Sequence, residues 1–152
     1  MPAFTPRDPA FESKVRASFE RQKVMGLIGA RLERIEPGLV SIELPYRGDL
    51  VQQHGFLHAG IVGTIADSAG GYAGFTLMPV GSSVLSVEYQ MHLLSPADGE
   101  RFVATGRVIR AGRTLTVCEL EVEAIKGDAR TRCAWGSQTL ICVEGRADVP
   151  GG

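Results

Sequence analysis

A glycine-rich apolar stretch with one charged residue inside it constrains this chain more than any other feature. Between Asp49 and Glu88, only Asp67 carries a full charge at neutral pH. The spacing of apolar residues around it predicts a helix over residues 58–77, which ends before Pro79. The five glycines of this segment each weaken an isolated helix by about 1 kcal/mol relative to alanine, so close packing against other backbone must stabilise it. The sequence therefore predicts a core helix that carries a carboxylate.

A carboxylate in apolar surroundings needs a hydrogen-bonding partner, a shifted ionisation or a catalytic role. A purely structural Asp67 would accept hydrogen bonds from nearby hydroxyls, such as those of Ser68 or Thr64. The residues ahead of the helix favour catalysis, because polar side chains precede a helix N-terminus whose amides bind developing negative charge. We expect those amides to be the free N–H groups of Ala59 and Gly60. The polar side chains are those of Gln52, Gln53, His54 and His58.

The length of the helix separates its two candidate groups. Asp67 follows His58 by nine residues, which corresponds to a rise of about 13 Å and to the opposite face of the helix. Asp67 is therefore expected to be out of reach of the N-terminus of its own helix. A site that uses both groups needs a second copy of the chain, so we predict a homo-oligomer, either a dimer or a dimer of dimers, with shared active sites.

Residues 52–67 resemble the hotdog-fold acyl-CoA thioesterases of the phenylacetate-catabolism (PaaI-like) and 4-hydroxybenzoyl-CoA type. Members of that family carry Asn or Gln, then Gly, then His-Gly-Gly, ahead of a helical Asp or Glu. Gln52 keeps the side-chain amide of the more common Asn, and Ala59 keeps the backbone N–H of the first Gly in the triplet. The resemblance extends over residues 26–143 and implies an antiparallel sheet wrapped around one long helix. The matching residues are Gln52, Gly55, His58, Ala59, Gly60 and Asp67.

The resemblance implies a thioester hydrolase that releases a free acid and coenzyme A. A thioester needs a polarised carbonyl, a base or nucleophile, and stabilisation of the leaving thiolate. The amide of Ala59, with Gly60 beside it, would polarise the carbonyl. The partner's Asp67 would either activate water or attack the carbonyl directly, and the sequence leaves both open. The resemblance gives Gln52 the role of orienting the water or the leaving sulfur.

Several neighbouring residues have both a functional and a structural interpretation. His58 is either a general catalyst or part of the helix start. Ser86 matches a family position whose hydroxyl binds the attacking water, but strand periodicity also allows it to face solvent. His54 either contacts substrate, together with Gly55 and Phe56, or orders the loop. The apolar residues Phe56, Leu57 and Tyr72 shape either the acyl pocket or a dimer core.

A second substrate-binding region is expected between two of the predicted strands. The resemblance places a turn with glycine, a basic residue and threonine against coenzyme A, and Gly112, Arg113 and Thr114 match it. Arg110 precedes this turn. Arginine suits phosphate binding, although arginines in turns are often only solvated.

Two other functions compete with hydrolysis. A hotdog hydratase or dehydratase would need a His paired with an acid for proton transfer at carbon, so His58 would have to reach Asp67 across the dimer. A non-catalytic acyl-CoA-binding module would normally carry an effector segment, and about 25 residues before the first predicted strand are too few for a DNA-binding domain. The Gln-x-x-Gly-x-x-His-Ala-Gly layout favours hydrolysis, and the presence of Asp67 argues against an inactive site.

Composition limits the remaining possibilities. Sixteen basic and seventeen acidic residues, with a pI of about 6.3, give no electrostatic basis for nucleic-acid binding. No segment has the length and hydrophobicity of a membrane span, and the N-terminus lacks the apolar core of a signal peptide. We therefore expect a cytoplasmic protein without membrane partners, metal or cofactor, in which coenzyme A is only part of the substrate. The three cysteines, which lie in apolar strand patterns, are expected to be reduced core residues: Cys118, Cys133 and Cys142.

The pattern along the 152 residues predicts one α+β domain over 1–152, with an N-terminal helical segment (1–25) and a hotdog core (26–144). The first helix is expected over residues 8–23, with Asp8 as its cap, Pro9 in its first turn and a buried stripe of Phe11, Val15, Phe19 and Gln22. In residues 83–94, period-two alternation puts Ser86, Glu88, Gln90 and His92 on the face opposite Val87, Tyr89, Met91 and Leu93. Strands are predicted over residues 29–35, 39–44, 83–94, 101–110, 114–125 and 131–143.

Overall fold

The computed structural model describes residues 3–150 and contains one antiparallel sheet of six strands with a long helix packed on one face. The strand order is β1-β2-β4-β5-β6-β3, so β1 and β3 form the two edges. This architecture confirms the predicted α+β hotdog fold. The helices are α1 (Phe11–Arg21), α2 (Lys23–Ile28) and α3 (Ala59–Phe75), and the strands are β1 (Arg31–Glu36), β2 (Leu39–Pro45), β3 (Ser82–Leu93), β4 (Arg101–Ala111), β5 (Leu115–Lys126) and β6 (Ala129–Glu144).

The long helix α3 approaches the sheet as closely as its glycines predict. A Cβ atom on Gly106 of β4 would lie 2.4 Å from the Cα atom of Gly70, so helix and strand touch through backbone. A Cβ atom on Gly74 would lie 2.4 Å from the Leu140 side chain of β6. Gly71 is different, because nothing lies within 4 Å of the position where its Cβ would be. Close packing therefore explains Gly70 and Gly74 but not Gly71.

The N-terminal segment differs from the prediction in two ways. The helix α1 begins at Phe11, and Asp8 does not cap it, because the Asp8 carboxylate accepts the Ala10 amide in a turn one step earlier. A second short helix, α2, follows where the sequence predicted the end of one helix and the start of a strand. It ends at Gly29, whose φ of 82° only glycine adopts readily, and this stop delays β1 to Arg31. The predicted stripe itself is correct, with Val15 fully buried and Phe19 packed against the core.

A bulge in β3 changes which side chains face the helix. The pairing with β6 shifts between Ser86 and Glu88, so Val87 is an extra residue and the alternation of faces is reset there. Ser86 and Tyr89 therefore both lie on the helix side: Ser86 contacts Asp67, and the Tyr89 hydroxyl lies next to Gly63. The predicted grouping, with Ser86 on the face opposite Tyr89, was wrong because simple alternation does not include the bulge.

The strand β5 follows its predicted alternation, with the inward side chains from Thr116 to Ala124 buried. All three cysteines are free thiols. Burial raises the pKa of Cys118 to about 12 and that of Cys133 to about 11, so both stay protonated in the folded protein. Within residues 3–150, no helix is long and apolar enough to cross a membrane, and no cluster of three or more His, Cys, Asp or Glu side chains is placed to hold a metal ion.

Candidate active site

The start of α3 is capped by a histidine. The Nδ1 atom of His58 accepts the Gly60 amide at 2.8 Å, which requires the neutral ring to carry its proton on Nε2. His58 itself is extended, with φ −60° and ψ 135°, as expected for an N-cap residue. The prediction of a free amide at Gly60 is therefore wrong. His58 has a structural role at the helix start, whatever chemistry its Nε2 performs.

One amide at this helix start remains available. The Ala59 N–H donates to no acceptor within residues 3–150, and Ala59 is exposed. The preceding loop turns at Gly55, whose φ of 84° favours glycine. In that loop the Gln52 side-chain oxygen accepts the His54 amide at 2.5 Å, which leaves the Gln52 Nε2 group without an acceptor in the described chain.

These groups border an apolar pocket of about 540 Å³. Gln52 and Ala59 supply polar groups at its edge, and Leu57, Val62 and Leu93 contribute apolar walls. His54 and Phe56 line it as well, so two of the three predicted contact residues of the loop meet there with the helix start. We call this region, with Gln52, His54, Phe56 and Ala59, the amide half-site.

The carboxylate lies in the middle of α3 and is fixed by two donors. Ser86 Oγ donates to Asp67 Oδ1 at 2.6 Å, and Gln138 Nε2 donates to the same oxygen at 2.5 Å. Gln138 also donates to the Asp67 carbonyl oxygen at 3.1 Å and contacts Ser86 Oγ at 3.0 Å. The Oδ2 atom of Asp67 accepts no hydrogen bond from the chain between residues 3 and 150. We call Asp67, Ser86 and Gln138 the carboxylate half-site.

The hydroxyls that a structural Asp67 would have used bind elsewhere. Thr64 Oγ1 donates to the Gly60 carbonyl within the helix, and Ser68 Oγ donates to Gln22, which lies between α1 and α2. The local structural explanation of Asp67 is therefore wrong. Its donors come from β3 and β6, which are distant in sequence and reach it only in the folded sheet.

The two half-sites do not meet within one chain. Asp67 and Ser86 line a separate cavity of about 140 Å³, which shares no residue with the pocket of the amide half-site. Along α3 the two are eight residues apart, a rise of about 12 Å. The Ala59 amide and the Asp67 carboxylate therefore lie at different places on the surface of the chain.

The helix α1 also borders the carboxylate half-site. Ser18 and Gln22 line the cavity beside Asp67, together with Tyr72. The Ser18 and Tyr72 hydroxyls are 3.3 Å apart, and burial raises the pKa of Tyr72, so this group is neutral. Ser18 on α1 therefore forms part of the wall of this cavity.

The turn predicted to bind coenzyme A lies beyond the other end of α3. Gly112 and Arg113 line a cavity with Leu77 and Met78, which follow the C-terminus of the helix. Gly112 is required by the turn, since a Cβ there would lie 2.7 Å from the Leu115 carbonyl oxygen. The other two predicted residues, Arg110 and Thr114, are exposed. Arg110 and Arg113 form no salt bridge within residues 3–150.

Gln138 is the site residue that the sequence prediction missed. Its side chain is fully buried, and the inward positions of β6 on either side of it are Gly136 and Leu140. A glutamine on the core face of a strand is the available signal, because buried polar side chains need partners. Applying period-two alternation to residues 131–143 would have identified it.

The comparisons with known proteins agree on one family. The model of the thioesterase superfamily matches residues 54–145. The proofreading thioesterase EntH of Klebsiella pneumoniae is 28% identical over 126 residues, which cover 83% of this chain and 91% of that protein. A crystal structure of a thioesterase family protein from Silicibacter pomeroyi is 46% identical, with a TM-score of 0.87 and coverage of 89% of this chain and 99% of that one.

More distant structures share the fold alone. The PaaI protein of the E. coli phenylacetic acid degradation operon has a TM-score of 0.80 at 16% identity, and the match covers 92% of this chain and 98% of that one. The shared architecture at such low identity indicates that the wrapped helix is the common feature of these proteins.

Proposed function

Because this chain belongs to the thioesterase superfamily and is a thioester hydrolase, we propose that it hydrolyses acyl- or aroyl-CoA in active sites shared between two copies of the chain. The observation that carries the proposal is the separation of the half-sites. Within residues 3–150, the Ala59 amide has no acceptor and Asp67 Oδ2 has no donor, and the pockets that they border share no described residue. A second copy is the simplest source of the missing group for each pocket.

In the proposed reaction, the Ala59 amide binds the thioester carbonyl oxygen and stabilises the negative charge that develops on it. The partner's Asp67 removes a proton from water through Oδ2, the water oxygen bonds to the carbonyl carbon, and the C–S bond breaks. The thiolate of coenzyme A leaves and takes up the proton. Direct attack by the carboxylate is the alternative; it forms an anhydride that water then hydrolyses to the same acid. Gln52 Nε2 donates to the water or to the leaving sulfur.

The two edges of the sheet support a dimer. The edge strand β1 is six residues long and exposes alternating charges at Arg31, Glu33, Arg34 and Glu36, which discourage pairing with another chain. The opposite edge, β3, is twelve residues long and exposes large apolar side chains. An edge of this length and apolarity favours association. Its exposed apolar residues are Leu85, Val87, Tyr89 and Leu93.

The arginines near the Gly112 turn support coenzyme A as the carrier of the acyl group. Arg110 and Arg113 are exposed, and the described chain gives them no carboxylate partner. Guanidinium groups bind phosphate well, and coenzyme A carries three phosphates. The expected absence of a further cofactor and the cytoplasmic location stay predictions.

The competing functions have less support. A hydratase would use His58 as an acid or base, but its Nδ1 atom is occupied by the Gly60 amide. A binding module would not require a half-buried carboxylate with one oxygen anchored and the other without a donor from residues 3–150.

A panel of acyl- and aroyl-CoA esters tests the proposal, with released thiol measured by a chromogenic reagent. Each acyl group is also offered on N-acetylcysteamine, which keeps the thioester but lacks the phosphates. We expect hydrolysis of at least one CoA ester, with a higher kcat/KM than that of its truncated analogue. Equal rates on both carriers would contradict the CoA assignment. Hydration of enoyl-CoA without thiol release would instead favour the hydratase.

A further inference from the structure

We propose that Gln138 is a positioning residue that aims the catalytic carboxylate, an inference that rests on the proposed role of Asp67. Gln138 lies on β6, beneath the middle of α3, and its side chain is fully buried. Its Nε2 group has three acceptors within 3.1 Å: Oδ1 and the carbonyl oxygen of Asp67, and Oγ of Ser86. One amide thus contacts both the backbone and the side chain of the carboxylate residue and its second donor.

Burial of the Gln138 amide has a cost in folding free energy. Its Oε1 atom is buried and has no hydrogen-bond partner within residues 3–150. A buried polar atom without a partner costs desolvation free energy, and an apolar side chain of the same length would avoid that cost. The amide also requires glycine at position 70, because a Cβ there would lie only 1.9 Å from Oε1. An apolar side chain would avoid this cost, so we assign the amide a role that apolar packing does not supply.

The two carboxylate oxygens of Asp67 have different hydrogen-bond partners, which gives them different roles in the proposal. Gln138 and Ser86 both donate to Oδ1, whereas Oδ2 accepts no hydrogen bond from the described chain. With Oδ1 held at two points and the backbone at a third, the carboxylate plane is fixed, and Oδ2 is directed toward water or substrate. Fixing the base in this way reduces the reorganisation needed during the reaction.

Both donors to Asp67 are neutral side chains, so the anchoring contacts place no further charge beside the carboxylate. The other ionisable groups around Asp67 are Tyr72 on α3, Tyr89 on β3, Cys118 on β5 and Asp148 near the C-terminus. The Cys118 thiol and the Tyr72 hydroxyl are neutral, because burial raises the pKa of each. Asp148 is paired with Arg21 at 2.9 Å. Tyr89 and Cys118 are the cross-strand neighbours of Gln138 on β3 and β5, whereas Tyr72 and Asp148 lie on other segments.

Substitution Gln138→Met tests the proposal, because methionine keeps the length of the side chain and removes the donor. We expect kcat to fall by about 10- to 100-fold with KM within about twofold, as for loss of one hydrogen bond to a charged group. The melting temperature should not fall, since the unpartnered Oε1 is removed as well.

Leu140→Val is the matched control, because Leu140 is fully buried on the same face of β6 but packs on Gly74 instead of Asp67. It should lower the melting temperature and leave kcat within about twofold of wild type. If Gln138→Met does not fold, Gln138→Asn keeps an amide that is too short to reach Oδ1 and carries the same prediction. A kcat equal to that of wild type in the folded variant would overturn the proposal. Asp67→Asn is assayed in parallel, and if it retains activity, the proposed function itself has failed.

Discussion

The two half-sites on α3 differ in how far a single chain sets their geometry. In the amide half-site, the Ala59 N–H and the Gln52 Nε2 group are unoccupied at the edge of an open pocket. In the carboxylate half-site, Asp67 is held by Ser86 and by the buried Gln138, with every contact made inside one chain. The carboxylate is therefore oriented within one chain, before a second copy binds. The amide half-site has hydrogen-bond donors but no carboxylate of its own. This difference is what a site completed by a second copy requires.

Asp67→Asn is expected to have the largest effect, because it removes the base from the carboxylate half-site and leaves the amide half-site intact. Asparagine keeps the size of the side chain and one oxygen for the Ser86 and Gln138 donors. We expect turnover to fall by at least about 100-fold, the range typical of a lost general base. Light scattering should show the same oligomer as for wild type. Activity within a few fold of wild type would mean that the buried network serves structure only.

Gly70→Ala should disturb the carboxylate half-site by displacing Gln138. A Cβ atom at position 70 would lie 1.9 Å from Gln138 Oε1 and 2.5 Å from a Leu120 methyl group. Overpacking of this kind costs about 1–3 kcal/mol, more than the helix propensity that alanine adds. We expect a lower melting temperature and a lower kcat, because Gln138 must move.

Gly71→Ala is the matched control for that change. Position 71 is on the same helix, but nothing lies within 4 Å of its added Cβ atom. The substitution should raise stability by about 0.5–1 kcal/mol through helix propensity and reduced freedom of the unfolded chain. Both variants are compared by thermal unfolding at equal protein concentration. Equal destabilisation by the two substitutions would contradict the close contact between α3 and the sheet.

His58→Ala should have the smallest effect, confined to the amide half-site. It removes the acceptor for the Gly60 amide, and loss of an N-cap costs about 1 kcal/mol of unfolding free energy. His58→Asn supplies another good cap and should restore that stability while it removes the imidazole. With stability restored, turnover within a few fold of wild type is the expected result. A large loss in the asparagine variant would instead assign catalysis to the imidazole.

The parts of this molecule that were predictable depend on local periodicity. The alternation of β5 and the apolar spacing around Asp67 identified the sheet and the central helix. The position of Asp67 nine residues beyond His58 was sufficient to separate the half-sites, because helix geometry is fixed. The cap at His58 was not predicted, since a histidine at a helix start does not reveal which of its nitrogens accepts a bond.

The parts that were missed depend on long-range contacts. Ser86 was a predicted site residue, but its place on the same face as Tyr89 was missed, because it depends on the bulge at Val87, and a bulge leaves no clear signal in an alternating sequence. Gln138 is 71 residues from Asp67, so the contact exists only after β6 has paired between β5 and β3. The wall that α1 adds to the cavity has the same origin, because it depends on how α1 packs against the end of the sheet.

The central claim is that one active site uses groups from two chains, and mixing two inactive variants tests it most directly. The first variant is Asp67→Asn. The second is Ala59→Pro, which removes the amide N–H that has no acceptor in the chain. Proline suits this position, since it is the first residue of α3 and the preceding His58 is already extended at ψ 135°. The proline variant must first be shown to be folded and oligomeric.

Each variant alone should be nearly inactive. Co-refolding the two in equal amounts gives about half heterodimers by random pairing. If the sites are shared, one site of each heterodimer carries both substitutions and the other site carries neither. Because half of the dimers then have one intact site of two, about a quarter of wild-type activity should return. If each site used groups from one chain only, every site would carry one lesion. A mixture that stays inactive, although mass spectrometry demonstrates heterodimers, would contradict the shared site.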